Sequence, residues 1–255
     1  MDESQIKLIA MDLDGTLLRT DKTISERTKT AIRRCREFGI KVVYATGRDR
    51  INTEMIPDEL FDGGITANGA IAEINGAVVY SALTPYQTAR PFLMACDKRG
   101  LRIASQADGV DYSNFIVSDE WPWITNFKVI DFLQHDKDAE KIYTYDLTPE
   151  DIRFIKDQLP KEFYMIMAMD GLAMIMHKDA TKSKAVAALA RDWGIDQYEI
   201  AAFGDDLNDI DMLSHAGIGV AMQNALPEVK AVADYICGDC DSDGVARWIE
   251  ENILK

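Results

Sequence analysis

The sequence has little of three features that define other classes of protein. It contains four cysteines in 255 residues, and its 28 basic residues are outnumbered by 43 acidic ones. It also contains no apolar run near the roughly 20 residues that span a bilayer. The net charge of −15 disfavours binding to nucleic acid or to an anionic membrane, because their phosphates would be repelled. We therefore expect neither kind of partner, and the sequence leaves the oligomeric state open.

The cysteines and histidines do not predict a metal site. The cysteines are Cys35, Cys96, Cys237 and Cys240. Only the last two form a CxxC pair, and no second pair or nearby histidine completes a zinc site. The histidines do not lie at the spacing of metal ligands: His135, His177 and His215. With no secretory signal evident, we expect a reduced, cytoplasmic protein with packing thiols, and a redox or zinc role of the CxxC pair is the alternative.

Strand and helix signals alternate at both ends of the chain. Short apolar runs predict buried strands at residues 7–11, 40–45, 65–67, 199–204 and 217–222. Helices are predicted after the N-cap Ser25 and at residues 182–193, 207–215 and 245–253. Asn75-Gly76 between apolar flanks predicts a hairpin. This alternation is typical of an α/β fold with a Rossmann-like parallel-sheet core.

The pattern changes between about residues 83 and 178. The signals here predict an inserted α+β domain. They are a helix near 91–99, short strands at 101–105 and 142–145, a helix after Thr148 and a hairpin at Asp170-Gly171. The core would then comprise residues 1–82 and 179–255. The hairpin is rich in methionine, at Met165, Met167, Met169, Met174 and Met176. Core packing is the favoured interpretation of these methionines, and a substrate lid or an interface is the alternative.

Polar residues follow the predicted core strands. Two aspartates end the first strand in the stretch MDLDGTLL, and a GDDLND segment follows a later one. The residues in question are Asp12, Asp14, Thr46, Gly47, Asn68, Asp205, Asn208 and Asp209, with Lys182 near the start of a helix. Ligands of open α/β sheets bind beyond the carboxyl ends of the strands, so we expect these groups to converge. Taken alone, Thr46-Gly47 would indicate a turn with Arg48 as a surface charge, and Asn68-Gly69 is either a turn or a phosphate neighbour.

The chemistry of these groups favours phosphoryl transfer. Asp12, Asp14 and Asp205 offer the oxygen ligands that Mg²⁺ prefers, and the ion would relieve the repulsion between them. Four groups can donate hydrogen bonds to phosphate oxygens. They are the Thr46 hydroxyl, the Gly47 backbone N–H, the Asn208 amide and the Lys182 ammonium. A carboxylate can attack phosphorus while a second acts as acid and then as base. A metal ion and one lysine supply the charge neutralisation that this reaction needs.

The motifs resemble those of the haloacid dehalogenase superfamily of phosphatases. Four segments look like the four motifs of this superfamily: DLDGT at 12–16, Thr46-Gly47, Lys182 in KSKAVAAL, and GDDLND at 204–209. Four further segments resemble sequences of the Cof-type branch: NGA at 68–70, GVAMQNA at 219–225, EVKAVAD at 228–234 and DGVA at 243–246. That branch carries an α/β cap between the second and third motifs, where the inserted domain is predicted.

The resemblance implies a role for each matching residue. Asp12 would be the nucleophile and a magnesium ligand, and Asp14 the general acid and base with its backbone carbonyl on the metal. Asp205 would complete the set of protein ligands. Asp209 would not bind the metal itself but would support the residues that do. The phosphate would be bound by the backbone N–H of Leu13 together with Thr46, Gly47, Lys182 and Asn208.

One position departs from the family pattern. The residue after the motif lysine is usually glycine and is Ser183 here. Lys184 therefore competes as the phosphate-binding lysine. Lys182 is preferred, because its spacing to Ala185 and Leu189 fits the helix of the family.

The expected activity is that of a magnesium-dependent phosphatase acting through an aspartyl-phosphate intermediate. Its substrate would be a small phosphorylated metabolite, such as a sugar phosphate or a cofactor phosphate. A phosphomutase of the same fold and a non-catalytic sensor of a phosphorylated ligand are the alternatives. The sequence does not name the substrate.

Overall fold

The computed structural model describes residues 6–53, 56–167 and 171–255, which form two compact units. The first comprises the residues up to Ser81 together with Thr181–Lys255, and the second is Ala82–Ala180. The borders expected from the sequence, at 83 and 178, lie one and two residues away from these. The predicted fold class, an α/β fold with a parallel-sheet core and an inserted α+β domain, is confirmed.

The secondary structure alternates along the chain. The strands are β1 (Leu8–Met11), β2 (Lys41–Ala45), β3 (Gly63–Thr66), β4 (Ile71–Ile74), β5 (Ala77–Ser81), β6 (Ile103–Ala107), β7 (Val110–Ser113), β8 (Phe127–Val129), β9 (Lys141–Thr144), β10 (Phe163–Met167), β11 (Ala173–His177), β12 (Ile200–Gly204), β13 (Ile218–Ala221) and β14 (Tyr235–Ile236). The helices are α1 (Glu26–Glu37), α2 (Tyr86–Lys98), α3 (Val117–Glu120), α4 (Pro149–Gln158), α5 (Lys182–Asp192), α6 (Ile210–His215), α7 (Pro227–Lys230) and α8 (Gly244–Asn252). None of the helices in the described part of the chain has the length and apolar character needed to cross a bilayer.

An eight-stranded sheet forms the centre of the first unit, in the order β14-β13-β12-β1-β2-β3-β4-β5. The strands from β14 to β3 run parallel, and β4 and β5 add an antiparallel hairpin at one edge. All four side chains of β1 are fully buried, from Leu8 to Met11. Burial on both faces explains why this strand is a continuous apolar run rather than an alternating one. The carboxyl ends of β1, β2, β3 and β12 therefore meet at one edge of the sheet.

Two local predictions in this unit are confirmed. The Ser25 side chain accepts a hydrogen bond from the Thr28 backbone N–H and caps α1. The buried face of α1 is formed by Thr28, Ala31, Ile32 and Cys35. The turn between β4 and β5 has Asn75 and Gly76 at φ values of 51° and 75°, as a two-residue hairpin turn requires.

The second unit has its own six-stranded sheet, in the order β10-β11-β9-β6-β7-β8. Phe92 of α2 and Ile155 of α4 share a buried apolar cluster with Ile103, Ile142 and Ile175 of the sheet. The unit thus has a hydrophobic core separate from that of the first unit.

The methionines of the hairpin differ in their surroundings. Met176 is fully buried, and Met165 packs against the core of the second unit. Met167 is 38% exposed. Core packing thus accounts for Met165 and Met176. Met169 and Asp170 lie outside the described residues.

Two helix boundaries differ from the prediction. Helix α2 begins at Tyr86 rather than near Pro91, which lies within the helix. The Tyr86 N–H donates to the Asp138 carboxylate at 2.9 Å, a non-local cap that sequence does not reveal. The predicted helix over 207–215 begins as a 3₁₀ turn at Leu207–Asp209, and α6 follows it. Carboxylates of the turn accept backbone N–H groups there and compete with the regular helical pattern.

The central strand sets the stability of the first unit. Ile9→Ala removes a fully buried side chain from β1, and we expect it to lower the free energy of unfolding by about 2–5 kcal/mol. Ile9→Val is expected to cost about 1 kcal/mol. The control is Val78→Ala on the edge strand β5, where the side chain is 56% exposed; its effect should stay within about 0.5 kcal/mol. Urea unfolding measures all three, and equal effects of Ile9→Ala and Val78→Ala would contradict the buried position of β1.

Candidate active site

Three carboxylates converge at the edge of the sheet where β1 and β12 end. One oxygen from each of Asp12, Asp205 and Asp209 lies within 4.8 Å of the other two. In the described part of the chain, this is the only group of three or more carboxylate, histidine or cysteine side chains placed to share a metal ion. The Asp14 side chain is not a member of this group, and neither are the CxxC cysteines.

Lys182 lies between two of these carboxylates. Its Nζ donates to Asp12 Oδ1 and to Asp209 Oδ1, each at 2.6 Å. The side chain is almost completely buried, whereas Lys184 is exposed. Thr181 caps α5 by accepting the Lys184 N–H, which makes Lys182 the first residue of the helix. Of the two competing lysines, the structure therefore brings Lys182 to the aspartates.

Asp209 is held by hydrogen bonds to both of its oxygens. Oδ1 accepts from Lys182, and Oδ2 accepts the backbone N–H groups of Asp205 at 2.9 Å and Asp206 at 3.1 Å. A Cβ atom on Gly204 would lie 2.4 Å from that of Asp209, so only glycine fits there. With both oxygens engaged, Asp209 is suited to fixing the loop and the lysine, while Asp12 and Asp205 have oxygens left for a cation.

Asp205 is oriented by the loop that carries Asp12. The Thr16 hydroxyl donates to Asp205 Oδ1 at 2.7 Å. Gly15, at a φ of 82°, lies so close that a Cβ atom there would be 2.3 Å from Asp205 Oδ2. The first and fourth motifs are therefore in direct contact. Thr16 was not singled out from the sequence, although the threonine of DLDGT is a local signal for it.

The carboxylate cluster carries more negative charge than Lys182 can balance. Burial, together with the charges of Asp209 and Asp205, raises the pKa of Asp12 well above its ordinary value despite the opposing effect of Lys182. Burial above all raises the pKa of Asp205 to about 6. Burial alone would lower the pKa of Lys182, but Asp12 and Asp209 outweigh it and the pKa is raised. Lys182 is thus charged, and the remaining negative charge favours a second cation.

The Asp14 side chain is paired with two basic residues. Arg48 Nε donates to Asp14 Oδ2 at 2.6 Å, Arg48 Nη2 donates to Oδ1 at 2.7 Å, and Lys22 Nζ donates to Oδ1 at 2.7 Å. Partial burial would raise the pKa of Asp14, but these hydrogen bonds outweigh it and the pKa is lowered. Arg48 is not the plain surface charge that a simple turn at Thr46-Gly47 would carry, because its side chain is only 21% exposed and is bound to Asp14. Its position next to Thr46-Gly47 was a signal, whereas no local signal marks Lys22.

The predicted phosphate donors lie on loops that follow the parallel strands. Both Leu13, two residues after β1, and Thr46, directly after β2, are buried. Asn208 Nδ2 donates to Asn68 Oδ1 at 2.7 Å, which links the loop after β12 to the turn after β3. The structure therefore joins Asn208 to Asn68, the residue whose role the sequence left open.

The remaining cysteine and histidine candidates are not members of this carboxylate cluster. Cys237 is buried, and burial raises its pKa to about 12, which disfavours a reactive thiolate. Burial also raises the pKa of Cys240. His135 is buried in the second unit against Ser105 Oγ, at 2.9 Å from its Nε2. The burial of Cys237 fits the packing role expected of the thiols.

Comparison with known proteins decides the family. A model of haloacid dehalogenase-like hydrolases matches residues 9–249. The chain belongs to this family. Over 260 residues, this haloacid dehalogenase-like hydrolase is 30% identical to 5-amino-6-(5-phospho-D-ribitylamino)uracil phosphatase YcsE of Bacillus subtilis (strain 168), with 99% of this chain and 98% of the relative covered.

Solved structures agree with this assignment. The haloacid dehalogenase-like hydrolase superimposes on the phosphatase BT1666 of Bacteroides thetaiotaomicron with a TM-score of 0.87 at 26% identity, covering 100% of this chain and 97% of that one. It superimposes on the subclass IIB sugar phosphatase BT4131 with a TM-score of 0.83 at 28% identity, covering 96% and 98%. The predicted resemblance to the Cof-type branch is confirmed, and the enzyme is a phosphoric monoester hydrolase.

The raised pKa of Asp205 predicts a pH-dependent stability in metal chelator. Asp205 ionises at about pH 6 when folded and near 3.8 in its ordinary state, so folding favours its protonated form. The stability that the protonated carboxyl of Asp205 contributes is fully present below about pH 4. It is lost as the pH rises through 6, which lowers the free energy of unfolding by roughly 3 kcal/mol. Asp205→Asn removes this loss, and we expect the variant to gain stability over the wild type between pH 4 and 7.5. Urea unfolding in EDTA across this range measures the difference, and a constant difference would contradict the assignment.

Proposed function

We propose that the enzyme is a magnesium-dependent phosphatase that hydrolyses a small phosphorylated metabolite through an aspartyl-phosphate on Asp12. The carboxylate cluster around Lys182 is the observation that carries this proposal. Its oxygen donors and its excess negative charge fit a hard divalent cation. Asp12 and Asp205, with the backbone carbonyl of Asp14, would hold Mg²⁺. When bound, the ion would neutralise carboxylate and phosphate charge so that an anionic nucleophile can approach phosphorus.

The proposed phosphate site uses donors from three loops and from the start of α5. Two of the three N–H groups of the Lys182 ammonium contact Asp12 and Asp209, which leaves the third for a phosphate oxygen. The other proposed donors are the Leu13 and Gly47 backbone N–H groups, the Thr46 hydroxyl and the Asn208 amide. Asp209 acts here as the residue that holds Lys182 and the Asp205 loop.

The reaction proceeds in two steps on this chain. Asp12 attacks phosphorus, and Asp14 gives a proton to the leaving oxygen. Asp14 then takes a proton from the water that cleaves the phospho-aspartate, which restores both residues. The pairing of Asp14 with Arg48 and Lys22 favours its ionised form, so the acid step requires that substrate binding loosens these contacts.

The substrate is proposed to be a sugar or polyol phosphate, or a cofactor phosphate. The names of YcsE and BT4131 specify a ribitylamino-linked phosphate and sugar phosphates, respectively. The second unit, Ala82–Ala180, is proposed as the cap domain that selects among such substrates, because the donors of the first unit recognise only phosphate and metal. The cytoplasmic location expected from the sequence stays a prediction.

The direct test is phosphate release from a panel of phosphorylated compounds, with Mg²⁺ or with EDTA. The panel should include hexose 1- and 6-phosphates, pentose 5-phosphates, 5-amino-6-(5-phospho-D-ribitylamino)uracil, FMN and pyridoxal phosphate. We expect metal-dependent release of inorganic phosphate. Conversion of a hexose 1-phosphate to the 6-phosphate without free phosphate would instead show a phosphomutase, and binding without turnover would show a sensor.

Replacing the nucleophile should remove activity but keep the fold. Asp12→Asn retains the size of the side chain and loses the charge that attacks phosphorus, so we expect kcat to fall at least about a thousandfold. The matched control is Asp192→Asn, the same change at an exposed position at the end of α5. Steady-state kinetics and circular dichroism of both variants give the result. Appreciable activity of folded Asp12→Asn would exclude the covalent mechanism.

Removing a proposed metal ligand should change the magnesium requirement. We expect Asp205→Ala to raise the half-saturating Mg²⁺ concentration by about tenfold or more, because one charged oxygen ligand is lost. Titration of activity with Mg²⁺ at saturating substrate measures this, with Asp192→Asn again as the control. An unchanged requirement would place the metal elsewhere.

A further inference from the structure

The turn that follows β3 has an unusual backbone. Three consecutive residues, Ala67, Asn68 and Gly69, have φ values of 47°, 54° and 97°. Residues other than glycine rarely adopt positive φ, and such strain persists only where surrounding contacts impose it. Strained turns of this kind cluster at functional sites. The contacts of the turn therefore indicate what it is built to hold.

The backbone of the turn is tied to the loop after β2. The Ala67 N–H donates to the Arg48 carbonyl at 2.7 Å, and the Asn68 N–H donates to the Thr46 carbonyl at 2.9 Å. These two bonds bracket Gly47 on both sides. A Cβ atom on Gly47 would lie 2.9 Å from Asn68 Oδ1 and 3.4 Å from Nδ2, so the Asn68 carboxamide occupies the space of a side chain at 47.

The Asn68 side chain also holds Asn208. It is 2% exposed, and its Oδ1 accepts a hydrogen bond from Asn208 Nδ2 at 2.7 Å. An amide nitrogen has two N–H groups whose directions are fixed relative to each other. With one N–H directed to Asn68, the direction of the other is set by this contact.

The third residue of the turn lies against the start of α5. A Cβ atom on Gly69 would be 2.2 Å from the Thr181 carbonyl oxygen and 2.9 Å from the backbone nitrogen of Lys182. The turn is thus packed against the residue that bears the buried ammonium. One three-residue turn contacts all three segments that carry Thr46-Gly47, Lys182 and Asn208.

We propose that Asn68 is a positioning residue for the phosphate-binding groups: its carboxamide orients the Asn208 amide, while the backbone of its turn, which Asn68→Gly retains, holds the Thr46-Gly47 loop. The inference rests on the proposed phosphatase function and adds to it a residue that does not itself contact phosphate. Asn68 acts through Asn208, so its effect depends on the presence of the Asn208 amide. A preorganised donor set of this kind strengthens phosphate binding because no rearrangement is needed on binding.

The test separates the carboxamide from the backbone of the turn. Asn68→Gly keeps the positive φ that glycine tolerates and removes only the side chain. We expect the inhibition constant of inorganic phosphate, measured against hydrolysis of p-nitrophenyl phosphate with Mg²⁺, to rise about tenfold. The matched control is Asn75→Gly, which makes the same change at an exposed turn position with a φ of 51°; its inhibition constant should equal that of the wild type.

A double-variant cycle then asks whether Asn68 acts through Asn208. If it does, Asn68→Gly in an Asn208→Ala background should change the inhibition constant less than twofold, far below the tenfold change in the wild-type background. A purely structural role of Asn68 would give the same fold-change in both backgrounds. That result, or an unchanged inhibition constant in Asn68→Gly, would overturn the proposal and leave the phosphatase function intact. A folded wild type that neither hydrolyses p-nitrophenyl phosphate nor binds inorganic phosphate, as measured by calorimetry, would overturn both.

Discussion

The buried ammonium of Lys182 is the interaction on which the rest of the site depends. It joins the loop after β1 to the loop after β12 through Asp12 and Asp209, residues that lie 170 and 27 positions away in the chain. Three carboxylates at the edge of a sheet repel one another, and removing the ammonium would leave them buried without any balancing charge. The contacts of Thr16 and Gly15 with Asp205 join the same two loops.

The negative charge of the three carboxylates exceeds the positive charge of Lys182. One ammonium against three carboxylates leaves Asp12 and Asp205 with raised pKa values, a state that costs stability and that a bound divalent cation would relieve. Asp14 is in the opposite situation, since Arg48 and Lys22 keep its carboxyl ionised. Two aspartates separated by one residue thus occupy environments that shift their pKa values in opposite directions, a pattern typical of carboxylates with different tasks.

Much of this arrangement could be predicted from the sequence, for identifiable reasons. The β1 strand and its two aspartates were evident because an apolar run ends abruptly in charged residues, and the Ser25 cap and the Asn75-Gly76 turn have local signatures. The partners of Asp14 were not predicted, because Arg48 lies 34 residues away and its contact depends on how β1 and β2 pair. The start of α2 was missed for the same reason, since its cap comes from Asp138. The link between Asn68 and Asn208 spans 140 residues and has no local signal.

The way the chain returns to the first unit has a consequence for how enzymes of this architecture can diversify. The second unit ends at Ala180, and the next two residues are fixed from the core side: Thr181 by its cap on α5 and the close approach of Gly69, Lys182 by Asp12 and Asp209. The anchoring contacts do not draw on the inserted sequence. Such a junction allows the insert to be exchanged, lengthened or redesigned while the reacting groups stay in place. With the proposed cap role of the second unit, selectivity and chemistry would be encoded in separate stretches of one chain and would be free to evolve at different rates.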